Sequence, residues 1–194
     1  MKYFFLTILI SLNIFLFSMI GTSKVSAQTV EFGITSLSST ISFDFNTIEN
    51  YRTGIIKYNA FELLVDVTGS QWDLYVGATT TSTGYLDVTS TYSTSGVLPP
   101  VSILQMQVRN ANNTSLVSGF SPITDIATPT YLIGSAAAPD LSVSCPNNGT
   151  NTAGNYLSSP GCYKFNVDLK INPGFTYKSG LYSLRIDYIL IQDL

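Results

Sequence analysis

Not one histidine occurs among the 194 residues. That absence removes Ser-His-Asp and Cys-His nucleophile systems, and imidazole-ligated zinc with them. A G-x-S-x-G elbow, a P-loop and a G-x-G-x-x-G turn are missing as well. Charge is scarce, at 11% of residues, and no basic block offers a footprint for nucleic acid. No D-x-D-x-D run marks a calcium loop, although Asp87 or Asp140 could each join backbone carbonyls. Glycoside hydrolysis needs only a carboxylate pair. Yet Glu62, Asp66, Asp73, Asp168 and Asp187 all fall at outward positions of alternating segments, where acids serve as solvated faces and edge protection. The expectation is a protein with no catalytic residues, no metal and no cofactor, and not an enzyme.

What is present begins with an address. Lys2 precedes a run from Phe4 to Ile20 that is almost wholly apolar, and "TSKVSAQ" follows. Val25 and Ala27 stand three and one before a cut ahead of Gln28, the layout of a secretory signal peptide. The run is short for a membrane span of about 20 residues. Cleavage leaves one domain, residues 28–194, with no further span. Lys2 and Lys24 leave with the signal, so seven bases face twelve acids, a net charge of −5. The expected location is secreted or at the cell surface.

Cys145 and Cys162 are the only cysteines, and both lie in the exported part. An even pair in an oxidising compartment reads as a disulfide. It encloses "PNNGTNTAGNYLSSPG", a loop too rich in Gly, Asn and Pro to hold its shape by packing. Closing such a loop is worth about 3 kcal/mol on the chain-entropy view.

Nearly every apolar stretch of the exported part has period two. Val30, Phe32 and Ile34 share one face, as do Ile41, Phe43 and Phe45. Phe61, Leu63, Val65 and Val67 repeat the pattern, followed by Trp72, Leu74 and Val76, then Leu104, Met106 and Val108. Tyr163, Phe165, Val167, Leu169 and Ile171 form the cleanest set. Strict alternation argues strands with one face buried. "VTGSQ" at 67–71 suggests a hairpin turn, and "INPGFTYKSG" suggests antiparallel neighbours on either side of it. The expected fold class is all-β: an antiparallel two-sheet sandwich, immunoglobulin-like or pilin-like, of about 7–10 strands. Trp72, the single tryptophan, is expected as core filler.

Tyr85, Tyr92, Tyr131 and Tyr156 lie in or near loops, where aromatic faces could stack on a glycan. They are the candidate ligand-stacking residues of a lectin-like alternative. Asn112, Asn113 and Asn148 head N-glycosylation sequons, which matter only in a host with that pathway.

The chain closes with "FTYKSGLYSLRIDYILI" before its last residues. Gly180, Tyr182, Leu184, Ile186 and Tyr188 mark the expected terminal strand. Its G-x-Y-x-x-x-I-x-Y close, and the W-x-L-x-V strand at Trp72, Leu74 and Val76, resemble the fimbrial and pilin-like subunits of Gram-negative cell surfaces. The resemblance implies a structural or adhesive role and self-association, or association with other surface subunits. Ile189 and Ile191 make the end of the strand apolar on both faces, so it needs cover on both sides. Val30, Phe32 and Ile34 sit on a segment freed by signal cleavage, a candidate for pairing within its own domain or for strand addition to a neighbour.

Exported protein is predicted to begin at Gln28 and to carry a Cys145–Cys162 bond. Intact mass with and without reduction before alkylation checks both. Two alkylated thiols in unreduced protein would contradict the bond.

Overall fold

A strand that alternates can bury only one of its faces, so strands of this kind must stack in layers. The computed structural model describes residues 29–36, 40–116, 119–137, 139–145 and 149–193. The expected signal segment, 1–27, lies outside them. Eleven strands occur among the described residues: β1 (Thr29–Ser36), β2 (Ile55–Thr68), β3 (Gln71–Thr79), β4 (Asp87–Thr91), β5 (Leu104–Asn110), β6 (Ser121–Pro122), β7 (Thr130–Ile133), β8 (Gly154–Asn155), β9 (Lys164–Ile171), β10 (Gly180–Ser183) and β11 (Arg185–Asp193). The count exceeds the expected 7–10 because β6 and β8 have two residues each, too few to show a period. Two short helices, α1 (Ile48–Thr53) and α2 (Pro160–Tyr163), join strands. Among the described residues no helix is long and apolar enough to cross a membrane.

The strands form an antiparallel all-β sandwich. One sheet runs β1-β2-β9-β5-β6, with β8 also paired to β2. The facing sheet runs β11-β3-β7, and a two-stranded sheet, β10-β4, stands beside it. Between them lies the core that the alternation anticipates. Leu63, Val65 and Val67 of β2, Leu74 and Val76 of β3, Val108 of β5 and Phe165 and Val167 of β9 are all fully buried. Each such side chain contributes about 1.5–3 kcal/mol on leaving water. Trp72 is completely buried, its indole N–H donating to the Thr152 carbonyl at 2.9 Å. Tyr163 lies beside it, ring centroids 6.2 Å apart, and its hydroxyl donates to the same carbonyl. Both polar tips are therefore satisfied inside the core.

Three local expectations are corrected. The turn at 67–71 does not close a hairpin: β2 and β3 belong to different sheets. The chain passes from one layer to the other through Gly69, whose φ of 76° favours glycine. Two consecutive strands with one apolar face each can bury those faces by stacking as readily as by lying side by side. The same reasoning corrects the link 171–180. β9 sits inside the larger sheet, while β10 and β11 pair elsewhere. Finally, residues 40–45 alternate in burial but form no strand.

A buried ion pair fixes an irregularity in β2. Its register against β9 shifts between Lys57 and Phe61, and Asn59 there has φ of 48°. Asp168 of β9 lies opposite and accepts the Asn59 N–H at 2.8 Å. Arg109 of β5 grips the same carboxylate through Nε at 3.0 Å and Nη2 at 2.8 Å, and Nη2 also donates to the Asn59 side chain. Asp168, expected on a solvated face, is 1% exposed. Its charge is matched by a two-pronged guanidinium, the geometry that best offsets burial. Asp168→Ala, which strands Arg109 and the Asn59 N–H, is predicted to lower stability by about 3–5 kcal/mol. Urea denaturation followed by Trp72 fluorescence measures it.

Candidate functional site

The larger sheet is wider than the one that faces it, and the difference leaves the interior open on one side. The terminal strand expected over Gly180–Tyr188 is broken at Leu184: β10 turns aside to pair with β4, and only β11 joins β3. Beside this break a groove of about 1060 Å³ enters the sandwich. Its floor includes Phe61, Leu104, Leu169 and Tyr188. Tyr188 meets Phe61 edge-on at 5.3 Å and directs its hydroxyl at the Met106 sulfur, 3.1 Å away. Burial pushes the pKa of that phenol far above its ordinary value.

Residues 40–45 lie along this groove. Ile41 and Phe43 are half-buried against the core, while Thr40, Ser42 and Asp44 alternate outward in the 40–45 stretch or lie partly exposed. The segment thus has the side-chain pattern of a strand without a ladder. At its end Phe45 approaches Tyr51, centroids 5.5 Å apart, and Tyr51 stacks on Phe175 at 5.7 Å and 19°. Phe175 is 67% exposed, so the row of rings runs from the groove to the surface.

Among the strands that end a sheet in the described residues are β1 and β11. β1 pairs with β2 of its own chain along its whole length, from Thr29 opposite Thr68 to Ser36 opposite Phe61. Its register sets Val30, Phe32 and Ile34 opposite Val67, Val65 and Leu63. No strand pairs with its other edge. β11 pairs with β3 only, and β1 runs close to it. Ile191, on its outer side, is 39% exposed.

The remaining candidate residues are dispersed. Cys145 and Cys162 are bonded, with Cα atoms 5.8 Å apart. Tyr85 and Tyr92 are exposed on different loops. Tyr131, on β7, lies against Tyr75 at 5.3 Å, and Tyr156 packs at the edge of the core. None of the four lines the groove, so the rings gathered there are ones the loop-based reading passed over.

It also passed over a cluster of acids on the outer face of β3. Asp73 points away from the core, as its position in the alternation requires. The loop after β7 folds over that face, so Asp73 is only 3% exposed. Asp140 from this loop and Asp193 at the end of β11 join it, with one carboxylate oxygen from each within 4.8 Å of the others. Asp193 accepts the Asp140 N–H at 2.7 Å, the Ser135 hydroxyl donates to Asp140 at 2.6 Å, and Gln71 donates to the Asp140 carbonyl at 3.0 Å. Gly134 makes room: its φ is 76°, and a Cβ there would overlap the Asp73 carboxylate. Burial, then repulsion from Asp193 and Asp140, raises the Asp73 pKa from 3.8 to about 6. By contrast, Asp87 is half-buried at the start of β4 and is no member of the cluster. Hydrogen bonds from Thr81 hold its carboxyl below the ordinary value.

No protein-family model matches this chain, and none of the curated proteins matches it. Its fold and its site geometry are therefore the grounds for a functional reading.

The raised pKa has a defined sign. Folded protein holds the Asp73 proton more tightly than unfolded protein does. Its contribution is fully present below about pH 4 and is lost as pH rises to about 6. In metal-free protein, Asp73→Asn is predicted to gain stability relative to the parent as pH goes from 4 to 6. Urea midpoints at several pH values check this, and a difference independent of pH would contradict it.

Proposed function

We propose that this chain is an exported structural or adhesive subunit of a cell surface, of fimbrial type, that assembles by strand addition and performs no catalysis. The observation that carries the reading is the groove covered by a ladder-free segment. Residues 40–45 cover apolar surface there without a strand ladder. A strand that both packed and paired would gain hydrogen bonds as well as burial.

The open edges supply the means. In one chain β1 satisfies β2 from within. In an assembly the β1 of one copy takes the same register on β2 of the next, an exchange that keeps every contact and costs little. Sparse charge on the exported chain leaves little repulsion between edges. Secretion through the signal segment and the disulfide belong to the same reading, since such bonds persist in oxidising compartments.

A second reading has its own observation. The Tyr51–Phe175 stack presents aromatic surface at the mouth of the groove, and a sugar ring could lie on it. The chain would then be a secreted carbohydrate-binding module.

Subunit-type assembly predicts that the full exported chain forms species whose size grows with concentration. Deletion of residues 28–37 should leave a folded monomer unable to assemble. Light scattering and circular dichroism read the two outcomes. A full chain that stays monomeric at high concentration, together with a deletion that unfolds, would overturn the assembly reading. A glycan array on the monomer then tests the second one, with Phe175→Ala as the control expected to abolish binding.

A further inference from the structure

The acid cluster on the outer face of β3 is not used by either reading above. Asp73 and Asp193 are 3% and 7% exposed, and Oδ1 of each has no hydrogen-bond partner. An unpartnered carboxylate oxygen is costly inside a protein, and this cluster holds two. None of the three ion pairs among the described residues includes Asp73, Asp140 or Asp193. The negative charge gathered there therefore has no counter-charge from a side chain.

The geometry of the gap is that of a cation site. One oxygen from each carboxylate lies within 4.8 Å of the other two. Oxygens on opposite sides of a calcium ion are about 4.6–5.2 Å apart, since each lies 2.3–2.6 Å from the metal. Opposite oxygens on magnesium, which holds its ligands at about 2.0–2.1 Å, fall within the same limit. The donors are all oxygen, the choice of a hard cation. Gly134 lets the Asp73 carboxylate lie against the loop backbone next to Asp140 Oδ2, where the Cβ of any other residue would overlap it.

We infer that Asp73, Asp140 and Asp193 form a binding site for a hard divalent cation such as calcium. The two unpartnered oxygens are first ligands, Asp140 supplies a third, and waters or backbone carbonyls complete the shell. The ion ties three separate pieces together: the middle of the smaller sheet, the loop after β7, and the end of β11. Its role is to lock the terminal strand and the covering loop onto β3. The inference stands whether or not the chain assembles.

The test uses the full exported chain, freed of metal with EDTA and titrated with calcium chloride alone. Calcium at about ten times its dissociation constant should raise Tm by roughly 3–6 °C. Terbium should bind the same place and luminesce through nearby Tyr75 and Tyr131, and calcium should displace it. Asp140→Asn, at the least buried of the three positions, should weaken calcium binding about tenfold or more while the chain stays folded. Asp73→Asn should remove the calcium-dependent rise in Tm. If millimolar calcium leaves Tm unchanged and terbium shows no displaceable signal, the inference is overturned. Calcium binding that persists unweakened in both variants would equally overturn it, by placing the ion elsewhere.

Discussion

The stacking of β2 on β3 is the contact on which the rest of this chain depends. Phe61, Leu63, Val65 and Val67 on one strand meet Trp72, Leu74, Val76 and Ala78 on the other across the core. A turn of very few residues at Gly69 carries the chain between layers. Once these two strands face each other, each becomes the seed of its own sheet. β9 and β1 add to the two sides of β2, while β11 and β7 add to the two sides of β3. The termini of the domain are thereby brought to neighbouring edges, because β1 and β11 are the outermost strands of opposing sheets and run close together.

Unequal sheets are a direct consequence. The layer built on β2 has more strands than the layer built on β3, and the strand that would widen the second, β10, is paired with β4 instead. The uncovered apolar surface is met by residues 40–45, which offer side chains but no ladder. The groove thus originates in the unequal sheets, and the proposed assembly uses it together with the open edges and the low charge. The acid cluster answers a different need. It lies on the outer face of the smaller sheet, where a loop rather than a strand supplies the second layer.

Period two was enough to identify the inner residues. Leu63, Val65, Val108, Phe165 and Val167 are buried as their alternation requires, because the pleat alone decides which side a residue takes. It does not decide what a strand lies next to. The patterns around Gly69 and at 171–180 suit neighbours in one sheet, yet both links cross between sheets, since stacking and pairing bury the same apolar face. Nor does alternation say whether an outward face stays wet. Asp73 and Asp168 point away from the core and are buried all the same, one beneath the loop after β7 and the other against Arg109. Asp140 and Asp193 lie far from Asp73 along the chain, so no local motif could have joined the three. The break at Leu184 was hidden for a similar reason: alternation continues through it although the pairing partner changes.

Hydrogen exchange, residue by residue on the full exported chain, tests most directly the claim that the sandwich interior is covered on one side by packing without pairing. The account predicts slow exchange for the amides of 61–67, 72–78 and 165–169, and exchange faster by orders of magnitude for 41–45, whose side chains nonetheless remain packed. Protection of 41–45 equal to that of β9 would contradict it: the segment would then be a paired strand, and the groove would not be open to another.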